Sequence, residues 1–223
     1  HPDAKGSKIR TRKIELAQEE MLLKTYDLNC FFSEETMDKF SIWPARSKCH
    51  VTGFPFGYIS DEVDVNEDEK ENIILFPHDV LSDVQNNIFT AINNNLKHQF
   101  KFVRVVNEYN NRGKYKGLLE VSKVLFCSAV TEFNPSLIYE CMCYGVRPII
   151  PDTALFPNVF PERYQYSSEF LSKDPMKMLR RFFQLEDTVE LGMYDYDYAS
   201  VINDAKLIGD KYFKNEPFKN LIC

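Results

Sequence analysis

The stretch Val124-Leu-Phe-Cys-Ser-Ala-Val-Thr-Glu-Phe-Asn-Pro-Ser-Leu-Ile-Tyr-Glu-Cys-Met-Cys-Tyr-Gly145 decides the fold class. Its apolar opening, Val124 to Ala129, reads as a buried strand, and a loop holding Glu132 follows. Asn134 is a good helix N-cap, and Pro135 suits the first helical position because its missing N–H would have no partner there. A helix from Pro135 to Tyr144 is therefore predicted, with the amides of Ser136 and Leu137 turned toward the strand ends as an anion site. Glu140 lies a turn further in. Two carboxylates thus flank one anion-binding helix start, suited to gripping hydroxyls on either side of a diphosphate. The plainer alternative makes Glu132 a strand-end residue and Glu140 a solvated helix residue.

Outward from this segment the same alternation repeats. Ile73 to Phe76 is a buried-type strand stopped by Pro77, and Val80 to Leu96 carries Val84, Ile88, Ala91 and Ile92 at helical spacing. Phe100 to Val106 is a second strand, Tyr115 to Val121 a helix, and Arg147 to Ile150 a fourth strand before Pro151 and Asp152. Strands alternating with helices at this spacing predict an α/β fold, a Rossmann-like parallel sheet flanked by helices. Ligands of such sheets bind at the carboxyl ends of the strands, here the loops 77–82, 107–114, 130–135 and 152–157. Before this region, Ile14 to Thr25 reads as an amphipathic helix. Asn29 to Phe32 is a short strand, Glu34 to Phe40 a brief helix capped by Ser33, and Val51 leads to a turn-rich exit through Gly57. Residues 61–71, with seven acids against one Lys, read as an acidic linker. The expected organisation is 1–60, the linker 61–71, a ligand-binding domain 72–200 and a C-terminal helix 201–223, with further helices near Pro175 to Gln184 and Tyr198 to Lys214.

Composition bounds the function. The 223 residues carry 27 basic against 33 acidic side chains, a net charge of −6, which argues against a protein that coats nucleic acid. No apolar run approaches the ~18 residues that span a bilayer, and the polar, basic stretch from His1 to Lys13 lacks a signal peptide's apolar core. A cytoplasmic location is expected, or the host cytoplasm for a viral protein. Of the cysteines, Cys30, Cys49, Cys127, Cys141, Cys143 and Cys223, none forms a CxxC pair or stands at zinc-finger spacing from a His. Reduced core thiols and no metal site are the expectation. Tyr194, Tyr196 and Tyr198 alternate with acids, and packing of a surface loop explains them better than sugar stacking.

Glu132 and Glu140 stand eight apart, and Glu-Cys-Met-Cys-Tyr-Gly145-Val-Arg-Pro148-Ile-Ile-Pro151-Asp152 follows. This text resembles the E-x7-E motif of retaining GT-B glycosyltransferases of the group 1, family 4-like type. Other pieces agree in order. Phe76-Pro77-His78 resembles the start of the donor domain in a phage and bacterial branch, and Lys114-Tyr-Lys-Gly-Leu-Leu119 resembles the helix before the E-x7-E strand. Pro157 to Tyr166 resembles the loop closing the donor pocket. The resemblance implies that residues 1–60 end an acceptor-side N-terminal domain and that 72–200 hold a nucleoside-diphosphate sugar.

The resemblance further implies residue roles. Glu140 would take the ribose hydroxyls and Glu132 would lie near the transferred sugar. The amides of Phe133 and Asn134, with Ser136 and Leu137, would receive sugar and diphosphate oxygens. His78 and Lys114 complete the implied donor site. Transfer would retain configuration without a bound metal. The acceptor stays open: the branch offers a modified DNA base, beside protein, lipid and small-molecule acceptors, and the short N-terminal part implies a fragment or a separate N-terminal chain as partner. Two departures stand out. The family carries an Arg and a Lys for the diphosphate where this chain has Asp79 and Val84, which leaves Arg112, Lys114 and Arg147 as substitutes. A non-catalytic nucleotide-sugar-binding or partner subunit is the competing reading, and a flavodoxin-like α/β module the third.

Overall fold

The computed structural model describes residues 17–18, 21–22, 24–39, 49–63, 65–77, 83–105, 111–128, 135–153, 156–171 and 175–213. The chain forms two compact units, His1–Pro55 with Tyr212–Cys223, and Phe56–Lys211. In the first, the short strand β1 (Asn29–Phe31) and the brief helix α1 (Glu34–Lys39) lie where the sequence predicts them, and β1 pairs in parallel with β2 (Cys49–Val51). The chain's end returns to this unit. Phe54 donates its amide to the Tyr212 carbonyl at 2.6 Å, and its ring stacks between Phe32 and Phe213.

The second unit is α/β, a Rossmann-like parallel sheet flanked by helices. Its strands are β3 (Glu71–Phe76), β4 (Lys101–Arg104), β5 (Ser122–Phe126), β6 (Arg147–Pro151) and β7 (Gln165–Tyr166), all parallel in the order β4-β3-β5-β6-β7. The helices are α2 (Asp83–Leu96), α3 (Arg112–Val121), α4 (Pro135–Cys143), α5 (Phe156–Val159), α6 (Pro175–Tyr194) and α7 (Tyr198–Tyr212). Strand residues alternate between faces. Ile74, Phe76, Val124, Phe126 and Ile149 pack with Ile88, Ile92 and Leu96 of α2 and Leu185, Val189 and Met193 of α6. Ile73, Leu75, Leu125 and Ile150, also buried, point the other way. Right-handed crossovers put α3 and α4 on that second face.

Several details depart from the sequence reading. A fifth strand, β7, is two residues long and carries no apolar run to announce it. Helix α6 continues ten residues past the predicted Gln184, to Tyr194. Residues 61–71 do not separate the units but lie inside the second, as 3-10 turns at Gly57–Glu62 and Glu67–Glu69 followed by the start of β3. The helix expected near Tyr198 to Lys214 is α7, Tyr198–Tyr212, and residues 214–223 lie outside the described residues. Among the described residues, no helix is long and apolar enough to cross a membrane.

Two devices fix the helices of the second face. Helix α4 stops in a Schellman turn: Val146 N–H donates to the Cys141 carbonyl and Gly145 N–H to that of Met142, both at 2.9 Å, with Gly145 at φ 70°. Lys70 caps the carboxyl ends of α3 and α4 together. Its ammonium donates to the carbonyls of Leu119 (2.8 Å), Ser122 (3.0 Å) and Tyr144 (2.6 Å), the last acceptors of α3 and α4, where a cation also meets the negative ends of both helix dipoles.

Candidate functional site

The strand order selects one crevice. From β3 the chain goes to β4 on one side, and then crosses to β5 on the other. The connections therefore diverge at the carboxyl ends of β3 and β5, the switch point at which open α/β sheets bind ligands. The loop after β3 begins at Pro77, and the loop after β5 leads into α4 at Pro135. His78, Asp79, Glu132, Phe133 and Asn134 lie outside the described residues. The other predicted residues are brought to this edge. Ser136 and Leu137 form the first turn of α4, where amides look out of the helix end. Lys114 sits in the first turn of α3, its amide held by the Asn111 cap at 3.2 Å.

Glu140 is the chemical centre of what is described. It lies about 7 Å along α4 from the helix start at 1.5 Å per residue, and its side chain is 9% exposed. Oε1 accepts from Arg112 Nη2 at 2.5 Å, and Oε2 accepts from the buried Tyr115 hydroxyl at 2.9 Å. It is therefore a desolvated carboxylate with one charged and one neutral donor, not the solvated helix residue of the plainer reading. Arg112 is 56% exposed and its guanidinium stands 5.3 Å from the Tyr115 ring centroid. Partial burial alone would lower the Arg112 pKa, but the hydrogen bond and charge of Glu140 outweigh it and hold the guanidinium above its ordinary value.

Sequence reasoning missed this triad. Arg112 and Tyr115 share a face of α3 at i, i+3, which is legible, but their meeting with Glu140 is tertiary. Arg147, offered as a diphosphate cation, opens β6 and so stands at the amino end of the sheet, away from the crevice. Its guanidinium is spent on the Asp195 carbonyl at 2.6 Å and the Arg163 carbonyl at 3.4 Å. Val84 lies in α2.

At the β6–β7 side of the carboxyl edge, Asp152, Pro157, Glu162, Gln165, Tyr166 and Ser167 line a cavity of 440 Å³. The Pro157 to Tyr166 loop forms its wall. The buried Tyr166 hydroxyl donates to the Cys127 carbonyl at 2.7 Å, tying β7 to the end of β5. Ser168 N–H donates to Asp152 Oδ1 at 2.7 Å, and hydrogen bonding from the Ser168 side chain first, then from this amide, holds the Asp152 carboxyl below its ordinary pKa. Removing the Tyr166 hydroxyl leaves a buried carbonyl without its donor. Tyr166→Phe is expected to cost about 1–2 kcal/mol in denaturant unfolding.

The thiols are built for packing. Burial pushes Cys143 up to about 12 and Cys141 well above the usual thiol range, so both are neutral near pH 7 and poor ligands or nucleophiles. Among the described residues no His, Cys, Asp or Glu group is placed to hold a metal ion. The three tyrosines act through their hydroxyls: Tyr194 on Gln99 Oε1 (3.0 Å), Tyr196 on the Gly145 carbonyl (2.9 Å) and Tyr198 on the Val65 carbonyl (2.8 Å). No protein-family model and no curated protein matches the chain.

Proposed function

We propose that the second unit binds a nucleoside-diphosphate sugar and belongs to a retaining glycosyltransferase. The observation that carries the reading is Glu140: a desolvated carboxylate on the helix that opens at the switch point, eight residues after Glu132 in text resembling the E-x7-E motif. A ribose presents hydroxyl donors, and the buried carboxylate, held at Oε2 by Tyr115, offers them Oε1 as acceptor. In the transfer, the bond from the sugar's anomeric carbon to the diphosphate breaks and one to the acceptor hydroxyl oxygen forms on the same face, through an oxocarbenium-like state, and the hydroxyl's proton passes to the leaving diphosphate oxygen. Negative charge grows on the leaving diphosphate, and donors fixed in advance at the helix start would stabilise it. Glu132 would lie near the sugar, with Phe133, Asn134, Ser136, Leu137, His78 and Lys114 around the donor. The acceptor rests on the branch resemblance alone, as a modified base in DNA.

A second reading, a binding subunit without turnover, is favoured by Asp79 where the family has a cation and by the commitment of both Glu140 oxygens to protein donors. Thermal unfolding with UDP-, GDP-, ADP- and CMP-sugars tests the shared premise. A ligand at about 100 times its Kd adds about 2.7 kcal/mol and raises Tm by several degrees. One base is expected to produce that shift in the wild type and not in Glu140→Ala. No shift with any of the four removes the premise. Release of free sugar or transfer with retention separates the enzyme from the binding subunit.

A further inference from the structure

We propose that Arg112 is the cation that meets the donor's diphosphate, and that it reaches it by leaving Glu140, so that ribose hydroxyls and Arg112 alternate on Glu140 Oε1. The inference rests on the donor reading above and assigns to it a residue and an order of events. The two carboxylate oxygens are unequal. The Oε2 partner, Tyr115, is 2% exposed and fixed in the core, whereas the Oε1 partner is an arginine more than half exposed. An incoming hydroxyl therefore displaces Arg112 and leaves Tyr115 in place. The exchange leaves no orphan, because the hydroxyl replaces one donor to the carboxylate with another.

The displaced guanidinium has a role at hand. It stands in the first turn of α3, at the carboxyl edge of the sheet, and carries five donors in a planar fork that suits phosphate oxygens. In the sequence, the third residue after β3 is Asp79, not a cation. Arg104, which ends β4, is another cation at the carboxyl edge. Its Nη2 is bonded to Asn86 Oδ1 at 2.7 Å and its guanidinium lies 4.2 Å over the Phe89 ring, so it is anchored to α2 on the opposite face.

The test is calorimetric titration of UDP, GDP and ADP, each beside its nucleoside, into wild type, Arg112→Gln and Arg112→Lys, with the melting temperature of each variant measured in parallel. For whichever base binds, Arg112→Gln is expected to lose tenfold or more in affinity for the diphosphate. Its affinity for the nucleoside should stay unchanged or tighten, since nothing then occupies Oε1. Arg112→Lys should fall between, and it carries the comparison if the glutamine variant does not fold. Equal losses for diphosphate and nucleoside would make Arg112 only a clamp between α3 and α4 and overturn the proposal, as would an unchanged diphosphate affinity. Absence of binding by the wild type to all three diphosphates is a different failure: it removes the donor reading, and this inference with it.

Discussion

Gly145→Ala is expected to lower the melting temperature by roughly 10 °C, at about 2–4 °C per kcal/mol for a chain of this size. Two costs add. Gly145 closes the Schellman turn at φ 70°, a conformation that strains a residue with a Cβ by about 1–3 kcal/mol. A Cβ there would also lie 2.2 Å from Cε2 and 2.5 Å from Cδ2 of Tyr198. The ring cannot retreat cheaply, because its hydroxyl is bonded to the Val65 carbonyl at 2.8 Å, so overpacking adds about 1–3 kcal/mol more. Thermal unfolding of the variant checks the size. A loss below about 1 kcal/mol would mean that α4 ends differently. Tyr198→Ala in the same background should relieve the clash but not the backbone strain, which separates the two costs.

The second large effect belongs to Lys70→Met. The substitution keeps the apolar stem and removes the ammonium, leaving the carbonyls of Leu119, Ser122 and Tyr144 without their donor. The expected loss is about 3 kcal/mol, given roughly 1–3 kcal/mol for each unsatisfied buried group and some relief by water. Its pH dependence has a definite sign. Burial is the leading cause that pushes Lys70 down from 10.5 to about 7, against the opposing charge of Glu120. Because the folded value lies below the unfolded one, the unfolded chain holds an extra proton between about pH 7 and 10.5, and stability gained from this group rises with pH across that window. The gap in unfolding free energy between wild type and Lys70→Met should therefore widen from pH 7 to pH 9. A gap that narrows would show that the three carbonyls hold the charge more firmly than burial opposes it.

How much of this was legible in the sequence differs from element to element. Strands β3, β5 and β6 and helix α4 announce themselves, since each is an unbroken apolar run or ends on a residue with one conformational meaning, such as Pro77, Pro135 or Gly145. Strand β7 does not, because Gln165 and Tyr166 gain their strand character only from pairing with Ile150 and Pro151. The apolar pattern begins α3 three residues late, at Tyr115, because Arg112, Gly113 and Lys114 show no apolar spacing and only the Asn111 cap marks them. The position of Glu140 follows from local pattern. Its partners do not, since Arg112 is 28 residues away and reaches it only because the chain crosses over β3 between β4 and β5. Lys70 is the sharpest case: as the one base in an acidic stretch it reads as solvated linker, yet three helix-end carbonyls draw it inward.

The measurement closest to the central claim asks whether Glu140 holds ribose. Titration calorimetry of the nucleoside diphosphate that binds, and of its 2′,3′-dideoxy analogue, into wild type and Glu140→Gln forms a closed cycle of chemistry and mutation. The account predicts that the dideoxy analogue binds the wild type at least tenfold more weakly, and that this difference largely vanishes in Glu140→Gln. Equal affinity of the wild type for the two nucleotides would contradict it and leave Glu140 as a structural clamp of α3 to α4.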